Sequence, residues 1–319
     1  MRFMAAVAGF AAVSVVNAAN VPLDLDTARH LLNRTSFAAG PADIEAFAGL
    51  TREQAVDRLL SWARQPPVTP PPAWTGEPFE SPRRFRGMSA EERKLAQREV
   101  FQKAFALQAW WLTEMLVTSS PLAEKMTLFW HNHFVSSQQK VRLPQLMYRQ
   151  NALLRRHALG NFGELLHAVA RDPAMVIYLD SASNRKGQPN ENFAREVMEL
   201  FTLGEGQYGE RDIKEAARAF TGWSIDLEKG EFLFRRMAHD DGVKSVLGRS
   251  GNLDGDAVLD ILLAQPQTAE FIVAKLWREF VSPQPDAAEV RRIARIFRES
   301  RYDIRAALRA LLVSDAFYA

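Results

Sequence analysis

Residues 121–134, PLAEKMTLFWHNHF, hold two histidines around an asparagine inside an aromatic wall. Their reading decides between an extended metal-binding segment and a core helix. Side chains two apart share a face on a strand, whereas on a helix, at about 100° per residue, they point in nearly opposite directions. Placed on a helix, Leu122, Met126, Phe129, Trp130 and Phe134 fall on one arc, with His133 in its middle. His131 falls about 160° away, near Glu124 and Thr127. The single apolar arc selects the helix, and Ser120-Pro121 opens it, because proline suits the first helical position. The two histidines then cannot chelate one ion together. His133 reads as a core histidine with both nitrogens hydrogen-bonded, and His131 as a surface cap or a site residue.

The helical period continues through most of the chain. It predicts helices over 24–34, 51–64, 89–117, 144–158, 162–170, 190–203, 210–221, 255–264, 268–281, 286–299 and 303–313. Thr51 with Gln54, Ser89 with Glu92, and Asp286 with Glu289 supply capping pairs at three of the starts. WSIDLEKGEFLFR, 223–235, alternates apolar and polar residues about Lys229-Gly230 and reads as a β-hairpin. The glycine- and aspartate-rich segment after it reads as ordered loop. QPPVTPPPAWTGEPFESP, 65–82, is barred from regular structure by its prolines and reads as a surface loop. The fold class is mainly α: one compact multi-helix domain, 19–319, with a short hairpin.

The 319 residues, 47% of them hydrophobic, suffice for a full core. A net charge of +2 gives little attraction for nucleic acid. The absence of cysteine excludes a disulfide framework, a thiolate nucleophile and any Cys-ligated metal, so a metal would need His, Asp or Glu. The N-terminus, MRFMAAVAGFAAVSVVNAAN, combines Arg2, a small-apolar run and short residues around Ala18. This is the layout of a secretory signal peptide over 1–18, and it predicts a periplasmic or secreted protein. No later run reaches the length of a membrane span.

Two further stretches carry candidate chemistry. PNENFAREVMELFTLGEG, 189–206, forms a sharply amphipathic helix. Its polar face gathers Glu191, Asn192, Arg195, Glu196 and Glu199, with Asn190 as N-cap and Gly204 as terminator. Arg195 lies four residues from both Glu191 and Glu199, so both ion pairs are sterically open. That face reads either as a solvated, ion-paired surface or as a cleft wall in which Glu196 and Glu199 do acid–base work or bind a metal. His239-Asp240, in a glycine-bearing loop, reads either as a turn or as a site. A single Glu-x-x-His, Glu164 and His167, falls short of the two pairs a helical di-iron centre needs.

Several strings together resemble the bacterial DUF1800 family, a family of unknown function. They are ARHLLNRTSFAAGPADIEAF, KMTLFWHNHFVSS, NFGELLHAVARDPAMVIYLDSASNRKGQPNENFAREVMELFTLGEGQY, EAARAFTGW, HDDGVKSVLGRSGNLDGDAVLDILL and FIVAKLWREFV, in that order over about 28–317. The resemblance implies a single, mainly helical, usually exported domain. It also implies that His131 to Phe134, Asn190 to Glu199 and His239-Asp240 are family hallmarks. Genes of this family often neighbour those of a second uncharacterised, sulfatase-like family, DUF1501, which implies a partner. Gly209 departs from the pattern, standing where a threonine-type cap is usual. No activity or cofactor comes with the family.

Two functions from different classes follow. The first is an exported helical protein that acts with a partner in assembly or maturation, without catalysis. The second is a metal-assisted hydrolase in which His131, Glu196, Glu199, His239 and Asp240 converge on a cleft. In the second, His131, Glu196 and His239 would ligate the metal and leave one position open for water.

Overall fold

The computed structural model describes residues 21–62 and 67–319. The expected signal segment, 1–18, lies outside the described residues. Over the rest the chain is mainly helical, with two small antiparallel two-stranded sheets. Three helices, α1 (Leu25–Thr35), α2 (Pro41–Phe47) and α3 (Arg52–Trp62), precede the proline-rich loop. After it come the 28-residue α4 (Ala90–Val117), α5 (Pro121–His133), α6 (Gln138–Val141), α7 (Pro144–His157), α8 (Phe162–Ala170) and α9 (Pro173–Tyr178). The second half holds α10 (Asn192–Glu199), α11 (Glu210–Ala219), α12 (Gly255–Ala264), α13 (Pro266–Phe280), α14 (Ala287–Glu299), α15 (Ile304–Leu312) and α16 (Asp315–Tyr318). Among the described residues no single helix is long and apolar enough to cross a membrane.

The helix starts follow local chemistry. Thr51 and Gln54 cap α3 reciprocally, as do Ser89 and Glu92 at α4. Asp286 accepts from the backbone of Ala288 and Glu289 at the start of α14. At α11 the cap position is Gly209, and the Asp212 carboxylate takes its N–H at 2.9 Å. The helix therefore starts firmly without a hydroxyl cap. Asp212 also accepts from Leu247 N at 2.8 Å.

That second bond bears on a segment whose sequence reads as loop. Residues 244–251 form a hairpin, β3 (Lys244–Val246) with β4 (Arg249–Gly251), beside the expected one, β1 (Trp223–Asp226) with β2 (Glu231–Phe234). Its two turn residues, Leu247 and Gly248, both have positive φ, the requirement of a tight hairpin turn. A leucine adopts that conformation reluctantly, and the Asp212 carboxylate holds it there.

One continuous apolar core runs from Leu23 to Phe317 and includes the fully buried Trp130, Phe134 and Phe162. The first three helices and the last two meet across it. His30 Nε2 bonds to Phe317 O at 2.8 Å, Arg52 lies over the Tyr318 ring, and Arg309 pairs with Asp57.

The described part of the proline loop is bound to this body. Glu114, fully buried on α4, accepts from Val68 N at 3.1 Å and Thr69 N at 2.7 Å. Trp110 Nε1 donates to Thr69 O, and Gln145 bonds the backbone of Glu77, Pro78 and Glu80. Glu114→Ala strips two backbone donors of their acceptor. We expect a loss of about 2–3 kcal/mol in the urea unfolding free energy, with new protease cuts in the loop.

Candidate functional site

The string FWHNHFVSS, 129–137, is a junction of helices. His133 is 4% exposed. Its Nε2 bonds to Phe201 O at 3.1 Å and its Nδ1 meets Lys275 Nζ at 3.1 Å. A carbonyl only accepts and an ammonium only donates, so Nε2 carries the proton and the ring is neutral. Burial, and then Lys275, hold its pKa well below the usual histidine range. Lys275 also donates to Leu200 O. Burial pulls its own pKa down to about 8.

His131 looks the other way, as the helical wheel requires. Asn151 Oδ1 accepts from Arg155 at 2.7 Å, which orients the amide so that Nδ2 donates to His131 Nε2 at 3.1 Å. The His131 ring packs 4.5 Å from the ring of Trp111. Burial, then the Arg155 charge, lower its pKa to about 4. Behind it Arg155 grips the buried Glu124 with two bonds, and Trp111 Nε1 adds a third. Ser136 bonds Gln150, which donates to Asp172 at 2.8 Å. Burial drives the Asp172 pKa up to about 7. Gln150, Asn151, Arg155, Glu124 and Asp172 carry no motif that marks them in the sequence.

The acidic helix departs from its expected bounds and pairings. It stops at Glu199 instead of continuing to 203, because Phe201 N reaches back to Glu196 O and Leu203 N to Met198 O, while the Thr202 hydroxyl takes Val197 O; Leu200 O and Phe201 O, just beyond, accept from Lys275 and His133. Arg195 pairs with Glu191 and with Glu210 on α11, and not with Glu199. Glu199 accepts instead from Tyr208 OH at 2.8 Å. Glu196 has no side-chain hydrogen bond among the described residues. Partial burial, then Glu199, raise its pKa. The cap position is Glu191, while the Asn190 side chain still accepts from Asn192 N.

His239 and Asp240 serve as a clamp. His239 Nδ1 bonds to Thr221 O at 2.9 Å, and Asp240 N donates to Thr221 Oγ1 at 2.8 Å. The Asp240 carboxylate takes two bonds from Arg218 and one from Gly242 N, which holds its pKa down to about 2. His167 does not pair with Glu164 as ligand; it lies between Asp256 and Asp260 of α12.

Among the described residues, no group of three or more His, Asp or Glu side chains is placed to hold a metal ion. His131, Glu196 and His239 therefore form no shared centre. Each has surroundings of its own.

Segments at two of the three hallmark strings, those of Asn190 and His239, do meet, by way of other residues. Lys186 N donates to Ala238 O, Gly222 N to Asn184 O, and Asn190 N to Asn184 Oδ1. Between them lies a cleft of about 470 Å³ walled by Ser183, Asn184, Gln188, Asn190, Ser224 and Arg235. A neighbouring cleft of about 510 Å³ shares Ser183, Asn190, Ser224 and Arg235. Ser224 is 2% exposed and its hydroxyl has no partner among the described residues. Gly222 is required here: a Cβ would sit 2.7 Å from Arg235 O, and φ is +85°. The wall of the first cleft offers amides, hydroxyls and guanidinium, and neither imidazole nor carboxylate. The neighbouring cleft adds one carboxylate, Asp180.

Two measurements test this picture. The depressed His131 pKa means that the unfolded chain binds a proton between pH 6.5 and about 4 that the folded chain does not. Stability is therefore lost as pH falls through that window, by up to roughly 3 kcal/mol. Asp172 acts with the opposite sign, so the difference between wild type and His131→Gln, in urea midpoints at pH 7 and pH 4.5, isolates the effect. Ser224→Ala removes a buried unbonded hydroxyl, and we expect it to raise stability by about 1 kcal/mol, measured in the same way.

The family model for a protein of unknown function, DUF1800, matches residues 30–319, nearly the whole chain. No curated protein and no solved structure matches it. The chain belongs to the DUF1800 family.

Proposed function

We propose that this DUF1800 member is an exported helical protein that acts with a partner, in assembly or maturation, rather than as a catalyst. The observation that carries the reading is the outer face of α4. Phe101, Phe105, Leu112 and Leu116 are 73%, 65%, 61% and 62% exposed. At 100° per residue they lie within about 60° of one another and extend over about 22 Å of helix. Isolated exposed leucines need no explanation, but a continuous stripe with two phenylalanines marks an interaction surface. It has the spacing of a helix that lays its apolar face against a partner.

Two further facts favour binding over catalysis. His133, Asp240 and Glu199 are committed to structural bonds, and His131 is held neutral by its surroundings. The first cleft has no acid–base group in its wall. The N-terminal sequence supports export, with the mature chain starting at Ala19. The partner we propose is a DUF1501-type protein.

The test is co-expression of the full chain with that protein, followed by affinity capture from the periplasm. Wild type and Glu196→Gln should capture the partner equally. The Phe101→Glu, Phe105→Glu double variant should lose at least tenfold of it while keeping its melting temperature. N-terminal sequencing should begin at Ala19. Capture unaffected by the double variant, or no capture at all, would overturn the reading.

A further inference from the structure

On the opposite side of α4 from the stripe, the proline loop roofs a recess of about 880 Å³ over α5, α7 and the start of α15. Its walls are of two kinds. Val68, Pro70, Trp110 and Tyr148 make an apolar and aromatic side, in which the Trp110 and Tyr148 rings meet edge to face at 5.7 Å. Arg155, Arg156 and Arg305 make a cationic side, against a single carboxylate, Glu124.

The charges do not cancel. Glu124 is spent on Arg155, whose Nη1 donates to Asn151. Arg156 and Arg305 form no ion pair and no side-chain hydrogen bond among the described residues. Arg305 Nε is buried and unbonded. A buried guanidinium N–H without an acceptor is costly. Two unpaired guanidinium groups beside a paired one leave the recess with a positive surplus, which the buried Glu114 carboxylate behind Val68 and Thr69 reduces but does not cancel. The low-dielectric wall focuses that surplus on whatever enters.

We propose that this recess binds an organic anion: a carboxylate or phosphate head held by Arg156 and Arg305, with an apolar body lying against Trp110, Tyr148 and the prolines. Guanidinium forks match both heads. The volume is that of a small-molecule site, and its mixture of apolar wall and few convergent polar groups is the usual one. The site is separate from the α4 stripe and from the Ser224 cleft, and it does not depend on the partner reading.

The experiment titrates the full chain by calorimetry with octyl phosphate, octanoate, octanol and inorganic phosphate. One or both octyl anions should bind, at least tenfold more tightly than octanol and than inorganic phosphate. A charge-assisted hydrogen bond of about 1.5–3 kcal/mol corresponds to about tenfold or more in affinity. The Arg156→Gln, Arg305→Gln double variant should therefore lose at least tenfold. Arg156 is exposed, so Arg156→Gln alone keeps the fold and should lose several-fold. The Phe101→Glu, Phe105→Glu variant should bind like wild type, which separates this recess from the apolar stripe. No binding of either anion, octanol binding as tightly as the anions, or arginine variants that match wild type would each overturn the proposal. Inorganic phosphate binding as tightly as octyl phosphate would overturn the apolar part of it.

Discussion

A neutral imidazole stands at the centre of this fold. His133 is the last residue of α5, buried among Phe129, Trp130, Phe134 and Phe201. With one nitrogen it bonds Phe201 O just beyond α10, and with the other it meets Lys275 of α13. Three helices distant in sequence are fixed by one ring whose two nitrogens must play different roles. A protonated ring would set a second positive charge against Lys275 and lose its acceptor, so the fold itself dictates the tautomer. The placement of Lys275 against the chain just past α10 and the opposite aim of His131 accompany that ring.

The second feature is a division of labour among polar groups. Most conspicuous charges bind other parts of the chain: Asp240 binds Arg218, Glu199 binds Tyr208, Glu114 holds the proline loop, and Arg155 holds Glu124. Among the described residues the groups that remain unbonded include less conspicuous ones: the Ser224 hydroxyl, Nε of Arg305 and the Glu196 carboxylate. Function is to be sought where bonding capacity is unspent.

The sequence told long elements well and short ones poorly, for a physical reason. Helices such as α4, α7, α13 and α14 exceed three turns, enough for an apolar stripe and a cap to repeat and agree. The seven residues of α2, four of α6 and six of α9 complete too few turns to show a period. The three-residue strands β3 and β4 cannot display an alternation. Their turn is at Leu247, a residue no rule places at positive φ; Asp212, thirty-five positions away, holds it. The helical wheel was enough to separate His131 from His133. It could not show that Asn151 and Arg155 complete the surroundings of His131, because those contacts lie between helices. Likewise Asn190 was visible as a polar residue of the acidic helix, while Ser224 sits in a strand that reads as ordinary hairpin. The hallmark strings carry the joints of the fold, and the cleft forms between those joints.

The packing of the last helices on the first has a kinetic meaning. Phe317, Tyr318 and Arg309 complete the surroundings of His30, Arg52 and Asp57. Local helical turns form fast, whereas contacts of such long sequence separation close late and slowly. Part of the cover of α1 and α3 is therefore added only after their own turns have formed.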